Sequence, residues 1–271
     1  MTSLCESVNH KLMMSNLKTK LSAVIITLNE ESNIERVIHS LSWADEIVVF
    51  DSGSQDQTCE IAKKLGAIIH QGPWSGFGLQ KRKAAELATH DWILSVDADE
   101  TVSRKLAAEI QSRFSELNPQ TGYCIPRKSF YLNHWIFHGG WYPDYQLRLF
   151  NRKHSQWNEN TIHEKVISSN IEYLNSPMEH YVFKNKAHQV QTNNKYSTLQ
   201  AEEYVSKGGE FSFFKLMIKP FVKFMECYFL KLGFLDGFPG FIIAVSAGYS
   251  VFIRWVKIWE LQQTIKTKAK V

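Results

Sequence analysis

The chain has 271 residues, of which 44% are hydrophobic and 21% are charged, so it can bury a globular core and wholesale disorder is not expected. Its formal net charge of +4 is too small to indicate a nucleic-acid partner. The four cysteines are far apart and form no CxxC pair, which argues against a disulfide framework or a zinc site and fits a reducing cytoplasm.

Short apolar strands alternate with helices in the N-terminal part of the chain. Strands are predicted at 21–27, 46–50, 67–70 and 92–96. Helices are predicted at 34–41 and 58–65, and a basic helix ends near residue 87. This alternation is typical of βαβ units and predicts an α/β domain with a doubly wound, mainly parallel central sheet.

The pattern changes after Tyr123. Aromatic residues and histidines cluster up to about Asn185, and the run 146–150 alternates like a strand. From about Lys195 onward the sequence predicts helices.

The C-terminal part combines many aromatic residues with evenly spaced lysines. Lys215, Lys219 and Lys223 lie four residues apart and therefore share one stripe of a predicted helix. This composition is typical of a helix in the boundary of an anionic membrane, and the alternative is a soluble helix packed on the rest of the protein. The uncharged run 237–253 is slightly shorter than the about 18–20 residues of a spanning helix. Gly233 and the glycines and proline at 237–240 predict a break, after which a second helix resumes at Phe241. We therefore expect this run to associate with a membrane rather than clearly to span it.

Polar side chains follow three of the predicted strands. They are Thr27, Asn29 and Glu30 after the first strand, Asp51 after the second, and Asp97 and Asp99 after the fourth. Ligands of open α/β sheets bind beyond the carboxyl ends of the strands, so these residues are candidates for a nucleotide site. No GxGxxG motif follows the first strand and no Walker loop occurs, which argues against a nicotinamide cofactor and an ATPase.

Asp97 and Asp99 give the most specific of these signals. Residues two apart on an extended segment point to the same side, and two carboxylates there repel unless a cation lies beside them. Mg²⁺ is usually held by one or two carboxylates plus substrate phosphates. The pair therefore predicts a divalent-cation site for Mg²⁺ or Mn²⁺, and the alternative is a solvated acidic turn. Asp51 is expected to accept a hydrogen bond from a uracil or ribose, or else to close an Asx-turn.

Three motifs occur in the order that family 2 glycosyltransferases of the GT-A fold have them. They are SAVIITLNE at 22–30, DSGSQDQT at 51–58 and ILSVDADE at 93–100. The chain resembles this family over roughly residues 20–190. More narrowly, it resembles bacterial lipopolysaccharide inner-core glucosyltransferases, which add a β-linked glucose to heptose. That narrower resemblance rests on the segments 139–144, 148–150 and 233–240.

The resemblance implies a metal-dependent, inverting transfer of a hexose, expected to be glucose from UDP-glucose, to the lipid-linked inner core of lipopolysaccharide. The metal neutralises the leaving diphosphate, and a carboxylate takes the proton of the attacking hydroxyl. Glu164 stands where related enzymes carry their catalytic Asp or Glu, and Asp144 is the rival. Each could instead be a loop carboxylate paired with a base such as His163 or Arg148.

Two further basic positions are expected at the donor. Arg148 suits the geometry of a diphosphate, although a structural ion pair is the equal alternative. Lys81, Arg82 and Lys83 open the helix before Asp97, and most such runs are solvated. One of the three, taken as Lys83, is expected to contact phosphate or uracil.

The resulting division has four parts. They are an N-terminal extension (1–20), a nucleotide-sugar-binding half (21–120), an acceptor-binding and catalytic half (121–192) and a helical, membrane-associated region (193–271). The extension lacks the apolar core of a signal peptide, so we expect a peripheral protein on the cytoplasmic face of the bacterial inner membrane. The alternatives are a transferase for a polyprenyl-phosphate or capsule acceptor, and an inactive membrane-binding module on the same scaffold.

Overall fold

The structure is a computed structural model that describes residues 20–158, 164–183 and 185–268. The expectations for the N-terminal extension and for His163 lie outside these residues. The described chain forms two compact units. The first comprises the residues up to Pro126 together with Tyr145–Met178, and the second comprises Arg127–Asp144 together with the residues from Glu179 onward.

The strands are numbered in chain order. They are β1 Leu21–Thr27, β2 Glu46–Asp51, β3 Ile68–Gln71, β4 Trp92–Asp97, β5 Glu100–Val102, β6 Thr121–Tyr131, β7 His134–Trp135, β8 Asp144–Asn151, β9 Gln156–Trp157, β10 Val166–Ile167, β11 Asn170–Tyr173 and β12 Met178–His180. The helices are α1 Ile34–Ser40, α2 Thr58–Lys64, α3 Phe77–Leu87, α4 Arg104–Arg113, α5 Lys186–Ser206, α6 Phe213–Met225 and α7 Gly237–Lys268.

The central sheet has the strand order β3-β2-β1-β4-β8-β6-β12-β5. Strand β1 pairs in parallel with β2 and β4, and β2 pairs in parallel with β3. Strand β8 is antiparallel to β4. The predicted α/β class with a mainly parallel sheet and a C-terminal helical segment is confirmed.

Strand β1 is apolar on both sides because helices cover both faces of the sheet. Ala23 and Ile25 point to the core that contains Val37 of α1, whereas Val24 points to the core that contains Ala84 of α3. The alternation follows from the two-residue period of a strand. Strand β1 is therefore an interior strand of the sheet, and its polar carboxyl end lies beside the carboxyl ends of β2 and β4.

The second unit contains α5, α6 and α7, and two of these helices begin earlier than the sequence predicts. Helix α5 begins at Lys186 rather than near Lys195, because the side chain of Asn185 accepts a hydrogen bond from the His188 N–H and caps the helix. The predicted break between two apolar helices is present after Met225, but it ends before Gly237, where α7 begins, rather than at Gly240. Pro239 lies in its first turn, where a missing N–H costs no helical hydrogen bond.

Candidate active site

The carboxyl ends of β1, β2 and β4 lie side by side. Thr27 is in register with Asp51, and Ile26 is in register with Asp97. The sheet therefore brings the polar residues after these three strands to one edge, as the sequence predicts for a ligand site.

Asp51 is fully buried, and its hydrogen bonds come from the loop that follows β2 and from the end of β1. Its carboxylate accepts from the Thr27 hydroxyl at 2.9 Å, the Gly53 N–H at 3.0 Å, the Ser54 N–H at 2.9 Å and the Ser54 hydroxyl. Burial alone would raise the pKa of Asp51, but the hydrogen bonds from Ser54, Thr27 and Gly53 hold that pKa below its ordinary value. These bonds form the Asx-turn named as the alternative, and contact with a donor stays a prediction.

Asn29 and Glu30 connect the loop after β1 to the loop after β2. The Asn29 side-chain oxygen accepts from the Gln55 N–H at 2.8 Å, and the Glu30 N–H donates to the Thr58 hydroxyl at 2.8 Å. Asn29 has a φ of 57°, a conformation that asparagine tolerates better than most residues. Their observed role is to fix the two loops at the edge of the sheet, and donor binding by either residue stays a prediction.

Asp97 lies at the centre of a network of ion pairs. The guanidinium of Arg148 contacts its Oδ2 atom, and the Lys81 amine lies 2.9 Å from its Oδ1 atom. Arg148 also lies 2.7 Å from Glu100, whose side chain is fully buried. Sequence reasoning did not single out Glu100, although it follows the DAD motif directly.

The charges of this network stabilise one another. Burial opposes ionisation of Asp97, but Arg148 and Lys81 together hold the pKa of its carboxyl far below the ordinary value. Asp97 and Glu100 likewise raise the pKa of Arg148. Of the two roles considered for Arg148, the structure shows the ion pair.

Both oxygens of Asp97 therefore face a positive charge, which makes this carboxylate a poor ligand for a metal cation. Asp99 lies in the turn after β4 and is partly exposed. Among the described residues, no group of three or more His, Cys, Asp or Glu side chains is arranged to hold a metal ion. A divalent cation at this site would have to complete its ligands with phosphate oxygens of the substrate, and binding of a metal by Asp99 or Asp97 stays a prediction.

Lys81, rather than Lys83, reaches the end of β4. The Lys81 amine lies 3.4 Å from Oε1 of Glu164 and 4.9 Å from the ring centre of Trp157. Lys83 instead donates to the Ser75 hydroxyl at 3.2 Å. The structure therefore pairs Glu164 with Lys81, not with the Arg148 considered from the sequence.

A signal for Lys81 is present in the sequence. Positions 81, 84, 85 and 88 have the i, i+3, i+4, i+7 spacing of one helix face, and all four are buried. Lys81 therefore lies on the buried, alanine-lined face of the helix, and this position distinguishes it from its basic neighbours Arg82 and Lys83.

Asp144 belongs to the second unit. Its Oδ2 atom accepts from Nε of Arg127 at 2.9 Å and from Nη2 at 2.6 Å. This is the paired arrangement considered as the alternative to catalysis, with Arg127 as the base. A catalytic role for Asp144 stays a prediction.

The first unit is thus an α/β domain with a cluster of charged residues at the carboxyl ends of its parallel strands, the architecture of a GT-A domain. The chain belongs to glycosyl transferase family 2, whose sequence pattern it matches over residues 22–172. It is therefore a glycosyltransferase, as the sequence predicted.

Relatives cover nearly the whole chain. An uncharacterized glycosyltransferase of Rickettsia typhi is 32% identical over 89% of this chain and 87% of its own length. The lipopolysaccharide core biosynthesis glycosyltransferase LpsC of Rhizobium meliloti is 28% identical over 94% of this chain and 97% of its own. The solved glucosyl-3-phosphoglycerate synthase of Mycobacterium tuberculosis, in a complex with Mn²⁺ and UDP, is 27% identical over 45% of this chain and 47% of its own, with a TM-score of 0.34. That likeness is too partial for a comparison of sites.

Proposed function

We propose that this protein transfers glucose from UDP-glucose to the inner-core heptose of lipopolysaccharide, with inversion at the anomeric carbon. The observation that supports it most strongly is the contact of Lys81 with both Asp97 and Glu164. It joins the strand end expected to hold the donor to the carboxylate expected to act on the acceptor. The name of LpsC, a relative of similar length, supports the choice of acceptor.

Glu164 is the proposed general base. As the acceptor oxygen bonds to the anomeric carbon, the bond from that carbon to the diphosphate breaks and Glu164 takes the hydroxyl proton. A divalent cation, when bound, neutralises charge on the leaving diphosphate. Its proposed protein ligand is Asp99, and Asp97 is assigned to the donor side.

Lys81 and Arg148 are proposed as positioning residues. Lys81 contacts both Glu164 and Asp97 and so fixes their relative position. The buried Arg148 contacts Asp97 as a second cation. Arg148 is only 3% exposed, so we place it behind Asp97 rather than at the diphosphate. Thr27, Asn29, Glu30 and Asp51 are proposed to shape the nucleotide side of the site, and Lys83 to contact the donor from the rim of α3.

The decisive experiment incubates purified protein with a panel of UDP-sugars, Mg²⁺ or Mn²⁺ and defined truncated core acceptors, followed by mass spectrometry of the products. We expect one added hexose on a heptose-terminated core with UDP-glucose as donor. Transfer only to polyprenyl-phosphate or capsule acceptors would favour the second candidate. Failure to hydrolyse or transfer any donor with either metal would favour an inactive membrane-binding module.

We also propose that the protein is peripheral on the cytoplasmic face of the inner membrane. Within the part of the chain that is described, one helical stretch, Gly233–Thr267, is long and apolar enough to cross a membrane by length and composition. An acceptor anchored in lipid explains why an enzyme would carry such a segment.

A further inference from the structure

The second unit presents a large apolar surface made by α6, the turn after it and the first three turns of α7. We call this the hairpin surface. Its large side chains, with their exposed fractions, are Phe213 (69%), Phe214 (73%), Met217 (58%), Phe221 (63%), Leu230 (80%), Leu235 (57%), Phe238 (71%) and Val245 (44%). Soluble monomers rarely expose contiguous apolar patches of this kind, which mark an interaction site.

The apolar residues of α6 face outward because the helix packs on α7 with its other side. Pro220 and Phe224 lie against Gly248, where a Cβ atom would be 2.9 Å from the Pro220 carbonyl oxygen. Phe214, Ile218 and Phe221 have the i, i+4, i+7 spacing of one helix face, which points away from this contact, and all three are exposed. Burial within this unit therefore does not account for them.

Lysines flank the apolar residues of α6. The amines of Lys215 and Lys219 lie 5.6 Å and 5.3 Å from the ring centre of Trp255, and both residues are exposed. Aromatic side chains beside a row of lysines match the two layers of an anionic lipid surface, acyl chains below and phosphate groups above. Charge complementarity thus selects a lipid surface over an apolar protein partner.

The contacts of α7 with α5 limit how far α6 and α7 can enter the hydrocarbon core of a membrane. The Lys186 amine donates to the Ser246 hydroxyl at 2.8 Å, and the Lys257 amine donates to the Asn194 side chain at 2.7 Å. Helix α5 is polar and carries Lys195 and Glu202, both exposed. If α7 crossed the bilayer, α5 would carry these charges into the hydrocarbon, which is strongly unfavourable.

The length of α7 that α5 leaves uncovered is short. Gly237–Val245, which ends before the Ser246 that contacts α5, is nine residues, and at 1.5 Å per residue it extends about 14 Å. That distance is about half of the roughly 30 Å hydrocarbon core of a bilayer.

We propose that the hairpin surface inserts into a single leaflet of an anionic membrane and that α7 does not span it. This inference rests on the membrane association given under Proposed function and specifies its geometry. The turn at 230–238 enters the acyl chains, α6 lies along the headgroup boundary, and α5 stays in water.

The first test is flotation of the full-length protein with closed vesicles of phosphatidylcholine, with or without phosphatidylglycerol. Binding is expected to need phosphatidylglycerol. The double substitution Phe214→Ser and Phe221→Ser should lower the vesicle-bound fraction by at least about tenfold, since each phenylalanine contributes through its buried apolar area. The matched control is Ile171→Ser with Tyr173→Ser, at positions of 52% and 58% exposure on β11, which should bind normally.

The second test locates the turn. Leu235→Cys protein carrying a fluorophore should be quenched by lipids brominated in their acyl chains. Unlabelled Leu235→Cys protein added to vesicles should not react with an impermeant maleimide trapped in the lumen. Lumenal labelling would show that α7 spans, and equal binding of the phenylalanine variant and the control would show that the hairpin surface is not the site; either result overturns the inference.

Enzyme activity separates this inference from the proposed function. Hydrolysis of UDP-glucose in solution should be the same for Phe214→Ser/Phe221→Ser and the unsubstituted chain, because neither residue belongs to the site on the first unit. A protein that binds vesicles as described but processes no UDP-sugar would contradict the proposed function alone. A protein that transfers glucose but does not need these phenylalanines for vesicle binding would contradict this inference alone.

Discussion

The Lys81 amine lies 2.9 Å from Oδ1 of Asp97, and the lysine side chain is only 6% exposed. The same amine lies 3.4 Å from Oε1 of Glu164, so one buried cation serves the end of β4 and the segment that carries the proposed base. Its removal takes away the positive charge beside both carboxylates without changing either carboxylate. Lys81 is therefore the position at which the proposed cooperation of the two carboxylates can be tested.

Replacement of Lys81 by methionine should lower kcat by about 10- to 100-fold, because misplacement of a catalytic group by about 1 Å costs up to that order. The KM for UDP-glucose should change less. Lys81→Arg should restore part of kcat, since it keeps the charge. The control is Arg82→Met, whose guanidinium pairs with Glu86 at 3.0 Å and whose kcat should stay near normal. If both methionine variants behave alike, Lys81 has no special role.

Replacement of Glu164 by glutamine keeps the size of the side chain and removes the proton acceptor. General base catalysis contributes roughly 10²–10⁴-fold, so kcat should fall by that order while the Kd for UDP measured by calorimetry stays unchanged. Asp144→Asn should reduce kcat less, because Asp144 is paired with Arg127. The reverse ranking of the two variants would make Asp144 the base, and normal turnover in both would refute the mechanism.

The sequence predicts the parallel core of the first unit well, because each strand is a short apolar run whose end is marked by a polar residue. It predicts Asp97 as a site residue but not the partners of Asp97. Arg148 lies 51 positions away and Lys81 lies 16 positions away, and only the pairing of β4 with β8 and the packing of α3 bring them to the same carboxylate. For the same reason the sequence did not single out Lys81, which reaches Asp97 from the buried face of α3, and donor contact by Lys83 stays a prediction.

The start of α5 and the start of α7 were missed for local reasons. Asn185 supplies a cap to a helix whose sequence is mostly polar, so no apolar periodicity marks its first turns. Gly237 and Pro239 are poor residues for the middle of a helix but are tolerated in its first turn. Composition alone does not show whether a glycine or a proline stands in the middle of a helix or in its first turn.

Asp51 should make stability depend on pH. Its folded-state pKa is lowered, so its contribution is fully present above the ordinary carboxyl pKa of about 3.9 and is lost as the pH falls through the folded value. Asp51→Ala leaves buried donors of Thr27 and Ser54 without this acceptor, at a cost of about 1–3 kcal/mol at pH 7. Urea unfolding should therefore show a smaller difference between the variant and the natural chain at pH 3 than at pH 7. An equal difference at both pH values would show that the charge of Asp51 does not contribute.

The first turn of α7 should not accept a side chain at position 240. A Cβ atom on Gly240 would lie 1.9 Å from the Gly233 carbonyl oxygen, so Gly240→Ala must displace the backbone. Overpacking of this kind costs about 1–3 kcal/mol, and thermal unfolding should show a lower Tm than for the control Val245→Ala, which changes an exposed side chain. A Tm equal to that of the control would mean that the backbone near Gly233 accommodates the added Cβ atom without loss of stability.

Asp99 should determine how tightly the enzyme holds its divalent cation. Chelator should abolish transfer, and added Mn²⁺ or Mg²⁺ should restore it. Asp99→Asn removes the negative charge of the one carboxylate assigned to the metal, so the metal concentration for half-maximal activity should rise by at least about tenfold. The matched control is Asp91→Asn at the opposite end of β4, where Asp91 pairs with Lys153 at the surface, and its metal requirement should be unchanged. Because both oxygens of Asp97 already face cations, the loss on Asp99→Asn should not be compensated by Asp97. Full activity of Asp99→Asn in chelator-treated buffer would show that transfer needs no metal at this site.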